Sequence, residues 1–190
     1  MKYDPDKHHR QSIRLKGYDY SSAGGYFITI CTHQRECLFG EVVDGAMQLN
    51  ELGEIVAFEW ENTPNIRREI KLDAWIVMPN HFHGIVFIQP VSPLVGAQGL
   101  APLQTDTPLA MNIPNRKPRS LGTLIAGFKM AVTKRINILR DTPRVPIWQR
   151  NYYEHIIRNE TALDKIREYV QTNPQSWNCD QLHPHNPSKW

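Results

Sequence analysis

Two histidines one residue apart, His81 and His83, lie in the run Met78-Pro79-Asn80-His81-Phe82-His83-Gly84-Ile85-Val86-Phe87-Ile88. Neutral imidazole is a common metal ligand. Side chains alternate across a strand, so on a strand both rings leave one face and Phe82 leaves the other. Such a pair is within reach of one ion, and the apolar residue between them anchors the strand to a core. On an exposed strand edge the same pair also fits plain polar surface. A second set of residues lies near the end of the chain. Ala162, Ile166, Tyr169 and Asn173 fall at i, i+4, i+7 and i+11, and so share one face of a helix. Tyr169 and Asn173 then present a phenol and an amide oxygen to one spot. A hard neutral oxygen completes two imidazoles into a site for a divalent cation that keeps open positions. The plainer alternative is that Tyr169 packs and Asn173, just before Pro174, ends the helix.

The elements that must position these residues are legible from pattern. Residues 71–78 and 83–88 are short and rich in β-branched and aromatic residues, and read as strands. Pro79-Asn80 is a turn signal, so the two form an antiparallel hairpin. Upstream, residues 26–32 read as a strand, and residues 39–49 as a small hairpin turning at Asp44-Gly45. Asn50 caps a helix over residues 51–62 that Pro64 closes. Downstream, Ser120 caps a helix over residues 121–139. Its apolar stripe is Leu124, Ile125, Phe128, Ala131, Val132 and Ile136. Residues 147–157 read as a fourth main strand, and Asn159 caps a last helix over residues 160–172. The order strand, helix, strand, strand, helix, strand, helix predicts an α+β, ferredoxin-like βαββαβ antiparallel sheet with one additional helix toward the C-terminus.

Length and composition set the remaining bounds. The 190 residues fit one domain, with an arm over residues 1–22, a Pro-rich insertion over residues 90–118 and a polar tail over residues 175–190. The insertion holds six prolines and two glycines, which exclude a helix or a central strand. No apolar run approaches the ~20 residues of a membrane span, and the polar start lacks a secretory signal. Three scattered cysteines predict a reduced, cytoplasmic protein.

Charge is uneven. Residues 116–158 carry ten Lys and Arg against two acidic residues, a local excess of eight in a chain of net +3. Such a block fits a polyanion, and it also fits a solvated helix face. Its cations include Lys117, Arg119, Lys129, Lys134, Arg135 and Arg150, interleaved with Trp148, Tyr152 and Tyr153. That mixture suits strand tracking and base stacking. Tyr152 and Tyr153 point to opposite faces of a strand, so at most one of them can face His81.

Three ordered motifs carry a resemblance. They are Met78-Pro79-Asn80-His81-Phe82-His83, Trp148-Gln149-Arg150-Asn151-Tyr152-Tyr153, and Tyr169-Val170-Gln171-Thr172-Asn173-Pro174. Together they resemble the REP-associated tyrosine transposases (REP, repetitive extragenic palindrome), single-tyrosine members of the HUH endonucleases. The likeness covers roughly residues 12–177. It implies that Tyr169 is the nucleophile and that His81, His83 and Asn173 hold a divalent metal, Mg²⁺ or Mn²⁺. It further implies a single-stranded DNA partner with imperfect-palindrome hairpins, cut beside the stem. Val170 stands where the family pattern has Ile, and the insertion over residues 90–118 is longer than the resemblance leads one to expect at that place in the family core.

The chemistry also fits the residues themselves. A metal-bound phosphodiester is polarised for attack. Tyr169 would then displace a 3′-hydroxyl and keep a 5′-phosphotyrosine, which conserves the phosphoester bond for a second strand. A phenol, with a pKa of about 10, leaves readily in the reverse step. Two other functions stay open: a non-catalytic binder of single-stranded hairpins, and a metal-dependent nuclease that uses water. The sequence does not decide between monomer and homodimer.

Overall fold

The computed structural model describes residue 15, residues 17–90 and residues 118–186. Residues 91–117 of the Pro-rich insertion, Lys117 among them, lie outside the described residues, as does most of the N-terminal arm. The elements are β1 (Gly24–Cys31), β2 (Gly40–Val43), β3 (Ala46–Leu49), α1 (Glu51–Glu61), α2 (Thr63–Ile66), β4 (Ile70–Met78), β5 (His81–Ile88), α3 (Leu121–Leu139), β6 (Tyr153–Ile157) and α4 (Glu160–Thr172). A 3-10 helix, Asn173–Cys179, follows α4 directly. The main sheet has the order β4-β5-β1-β6, and each neighbouring pair is antiparallel. With α1 and α3 as crossovers this is the ferredoxin-like order, as the sequence pattern predicts.

Local signals set the boundaries. Asn50 Oδ1 accepts from the backbone N–H groups of Leu52 and Gly53 and so starts α1. Asn159 Oδ1 accepts from Ala162 N–H and starts α4. Between β2 and β3, Asp44 and Gly45 both take positive φ (50° and 73°), the backbone a two-residue hairpin turn requires.

Two cores form, one on each face of the sheet. On one face Tyr26, Ile28 and Ile30 of β1 and Phe82, Val86 and Ile88 of β5 pack against α1 and α3. The Phe82 ring lies 4.7 Å from that of Trp60 and 5.5 Å from that of Phe128. On the other face Phe27 and Ile85 pack against Leu163, Ile166 and Val170 of α4. The amphipathic pattern of α4 thus fixes which side it covers. Tyr18 and Tyr20, read from sequence as part of an arm, pack onto the first core. The Tyr18 hydroxyl lies 3.2 Å from that of Tyr26.

The fourth strand is shorter than its pattern predicts. Pairing with β1 covers only Tyr153–Ile157, and a single bridge joins Thr32 to Trp148. Lys129 explains the gap. Its Nζ donates to the carbonyls of Gln149 (2.8 Å) and Asn151 (2.7 Å), which diverts those carbonyls from a ladder.

A bulge in β4 holds α4 in place. The register with β5 shifts between Leu72 and Trp75, around Asp73 and Ala74. Asp73 there accepts two bonds from Arg167 of α4, at 2.8 Å and 2.7 Å. This fork-to-fork geometry is the strong form of an ion pair. The guanidinium beside Asp73 holds its carboxyl below the usual carboxylate range.

Gly84 of β5 has no room for a side chain. A Cβ there would lie 2.8 Å from the Phe82 ring and 2.9 Å from the Trp60 ring. Gly84→Ala should therefore destabilise the fold by about 1–3 kcal/mol, read from urea unfolding; an unchanged midpoint would contradict this packing. The Asp73–Arg167 pair gives a pH prediction. Because the folded pKa of Asp73 is depressed, its stabilisation is present above the unfolded value of about 4 and is lost as pH falls through the folded one. The stability gap between wild type and Asp73→Asn should be full at neutral pH and close in acid. A gap that stays constant from neutral pH into acid would count against the pair.

Candidate active site

β5 supplies both histidines. His81 pairs with Cys31 and His83 with Thr29 of β1, and both side chains leave the sheet on the face that α4 covers, opposite Phe82. Their ring centroids are 4.5 Å apart. Both are fully buried, beneath α4 and against Trp177 of the 3-10 helix. Burial disfavours the charged ring, so His81 is pulled down to about 3. His83 falls well below its ordinary value, through burial and then through its neighbour His81. Each ring is therefore neutral and has one nitrogen that carries a lone pair.

The surrounding bonds fix where one of those lone pairs points. Asn80 Nδ2 donates to the carbonyls of Arg35 (3.2 Å) and Leu182 (2.8 Å). Its Oδ1 must then be the atom that faces His81 Nδ1 at 2.8 Å, so Nδ1 is the protonated nitrogen. That leaves the Nε2 lone pair of His81 buried and without a partner. His83 Nδ1 lies 2.8 Å from Thr29 Oγ1, and His83 Nε2 lies 3.3 Å from the Tyr169 hydroxyl. This is the outer-shell arrangement that orients ligating histidines elsewhere.

α4 supplies the phenol. Tyr169 is 45% exposed, and its ring lies 5.2 Å from that of His83. Burial, followed by the charge of Asp180, pushes its phenol up to about 12. Asn173 follows α4 at the start of the 3-10 helix. It is close enough to His81 and to Tyr169 to bias the titration of both. Asn173 Oδ1, like His81 Nε2, is buried and unpaired. Two orphaned acceptors side by side are costly in a protein interior unless a donor or cation satisfies them. The donor set of two neutral imidazoles and an amide oxygen therefore fits a divalent metal, which would be held by His81, His83 and Asn173.

Residues that the sequence pattern did not mark also meet here. Asp180 offers a carboxylate within 4.8 Å of the histidine ligand atoms, and Arg35 places a cation near His81. Thr29 and Asn80 act through the histidines. Asn80 could have been suspected from its place beside His81; nothing in the local sequence points to Asp180 or Arg35.

The predicted DNA-binding set divides. Trp148 is buried against Phe39 and Phe128, so it is a core residue and not a stacking platform. Lys129 is tied to two carbonyls, and burial pulls it down to about 8; it is a structural clamp. Arg135 pairs with Glu59 at 2.7 Å and lies over the Phe58 ring, joining α3 to α1. Tyr152 packs on the core beneath α3. Tyr153 is exposed and pairs with Thr29, so it stands on the histidine face. Arg119, Lys134 and Arg150 are exposed. Lys134 and Arg150 help to line an open cleft of about 470 Å³ with Met130 and Ile147. α3 lies across the sheet from the histidines, yet this cleft adjoins the end of β1 that carries Cys31, because Gln149 N–H donates to the Cys31 carbonyl.

No protein-family model matches the chain. An uncharacterised protein of Haemophilus influenzae is 43% identical over 183 residues, covering 96% of this chain and 97% of that one. A solved structure of a REP-associated tyrosine transposase bound to a REP hairpin superposes with a TM-score of 0.56 at 17% identity. It covers 88% of this chain and 74% of that one. No helix among the described residues is long and apolar enough to cross a membrane. The chain therefore belongs to one family with the Haemophilus influenzae protein, and its fold is that of the REP-associated tyrosine transposases.

Proposed function

We propose that the protein is a metal-dependent tyrosine transposase that cleaves and rejoins single-stranded DNA beside imperfect-palindrome hairpins. The observation that carries this reading is the convergence of Tyr169 with the buried acceptors. Its hydroxyl lies 3.3 Å from His83 Nε2, next to the unpaired His81 Nε2 and Asn173 Oδ1. A bound Mg²⁺ or Mn²⁺ would act there as a Lewis acid toward a scissile phosphate.

The chain's own residues do the rest. Tyr169 loses its proton as its oxygen bonds phosphorus, and the 3′-oxygen leaves as a hydroxyl. The 5′-phosphate stays on Tyr169 until another 3′-hydroxyl attacks it and the phenol is released. A phenol raised by burial is a poor nucleophile unless a cation offsets the forming charge, which fits a metal-dependent reaction. His81 and His83 stay neutral through burial and so keep lone pairs for the metal. Partial exposure leaves Tyr169 open to a strand arriving from solvent. Tyr153, exposed on the same face, suits stacking of a flanking base. The hairpin in the structural neighbour supports a hairpin substrate here.

Tyr169→Phe removes one oxygen and keeps the ring. On single-stranded hairpins with Mn²⁺ it should fold and bind but lose cleavage by more than about a thousandfold. Cleavage retained by this variant would favour a nuclease that uses water. Binding with no cleavage by the wild type under either metal would favour a non-catalytic hairpin binder. The binding surface makes its own prediction. Affinity for single strands should fall with salt. Replacing Lys134 and Arg150 by Gln should flatten the log–log slope by about 0.7 for each phosphate that is no longer neutralised. An unchanged slope would place the strand elsewhere.

A further inference from the structure

The metal group contains one carboxylate that lies outside all three sequence motifs. We propose that Asp180 ligates the same ion as His81 and His83, so that the centre holds a negative charge. This rests on the metal reading above and adds a residue to it. Among the described residues, His81, His83 and Asp180 are the one trio of His, Cys, Asp or Glu whose ligand atoms lie close enough for an ion, all within 4.8 Å of one another.

Asp180 is held there by several bonds. Its Oδ1 accepts from Leu182 N–H at 2.6 Å, and its Oδ2 accepts from Asn173 Nδ2 at 3.1 Å. Its own carbonyl accepts from Asn186 Nδ2 at 2.6 Å. The next two carbonyls, Gln181 and Leu182, are taken by Arg35 and Asn80. A carboxylate oxygen accepts two bonds, so these contacts leave each oxygen of Asp180 a lone pair. The bond from Asn173 Nδ2 also turns the other end of that amide, the unpaired Oδ1, away from Asp180. One carboxylate thereby orients a neutral ligand and stands within reach of the ion itself. Two imidazoles and an amide leave a buried divalent ion uncompensated, and charge is costly to bury unpaired. Asp180 removes half of that excess.

The test is Mn²⁺ titration of the full chain, followed by calorimetry and by loss of the free-ion electron paramagnetic signal. Circular dichroism confirms that each variant is folded. Asp180→Asn should weaken Mn²⁺ binding by at least about tenfold, and it should do so again in an Asn173→Ala background. Asp180→Ser, which keeps an acceptor for Leu182, carries the same expectation should Asp180→Asn fail to fold. Wild-type affinity in these variants would overturn the assignment. So would an Asn173→Ala/Asp180→Asn double variant no weaker than Asn173→Ala, because Asp180 would then act only through Asn173. If the wild type does not bind Mn²⁺, or His81→Ala binds as well as it does, the metal reading fails and takes Asp180 with it.

Discussion

Phe82 sits among the rings of Trp60, Trp75 and Phe128. Successive strand residues point to opposite faces, so burying Phe82 sends His81 and His83 to the other side of the sheet. A slip of β5 by one residue would expose Phe82 and drive both imidazoles into hydrocarbon. Losing the burial of one aromatic costs about 1.5–3 kcal/mol. Each imidazole left without a partner adds a further 1–3 kcal/mol or so. Against a total stability of roughly 5–15 kcal/mol, such a slip is excluded. The aromatic core on one face thus holds the two histidines in register on the other.

What lies over the histidines determines their chemistry. α4 and the 3-10 helix exclude water from them, and that burial keeps them neutral. Thr29 and Asn80, both buried, occupy the Nδ1 atoms and leave the Nε2 atoms toward Tyr169 and Asn173. Two stretches distant in sequence must therefore meet: β5, and the end of α4 with the turn that carries Asp180 directly after it. The Asp73–Arg167 fork sets the position of α4 along the sheet. Asn80 secures the C-terminal turn through the Leu182 carbonyl. The same side chain orients His81, so turn and imidazole are positioned together.

Much of this was legible in the sequence because it depends on local periodicity. The alternation around Phe82, the caps at Asn50, Ser120 and Asn159, and the shared helix face of Tyr169 and Asn173 are near-neighbour properties. The ferredoxin-like order followed from the elements alone. Long-range contacts were not legible. Lys129 is a cation by type, and only the path of the chain after Pro146 shows that it clamps two carbonyls. Trp148 belongs to an aromatic motif, but the bridge to Thr32 places it in the core. Arg135 is neutralised by Glu59, more than seventy residues earlier in the chain. Asp180 lies in a stretch without periodicity, and its placement depends on bonds to Asn173, Leu182 and Asn186 that no sequence spacing encodes.

Tyr169 as the atom that takes up the phosphate is the central claim, and peptide mapping of a trapped adduct tests it most directly. Wild-type protein would be incubated with a single-stranded hairpin and Mn²⁺, denatured, digested and analysed by mass spectrometry. The 5′-phosphorylated nucleotide should be found on the peptide containing Tyr169. An adduct on the peptide with Tyr152 and Tyr153, or cleaved DNA with no adduct on any tyrosine, would contradict it.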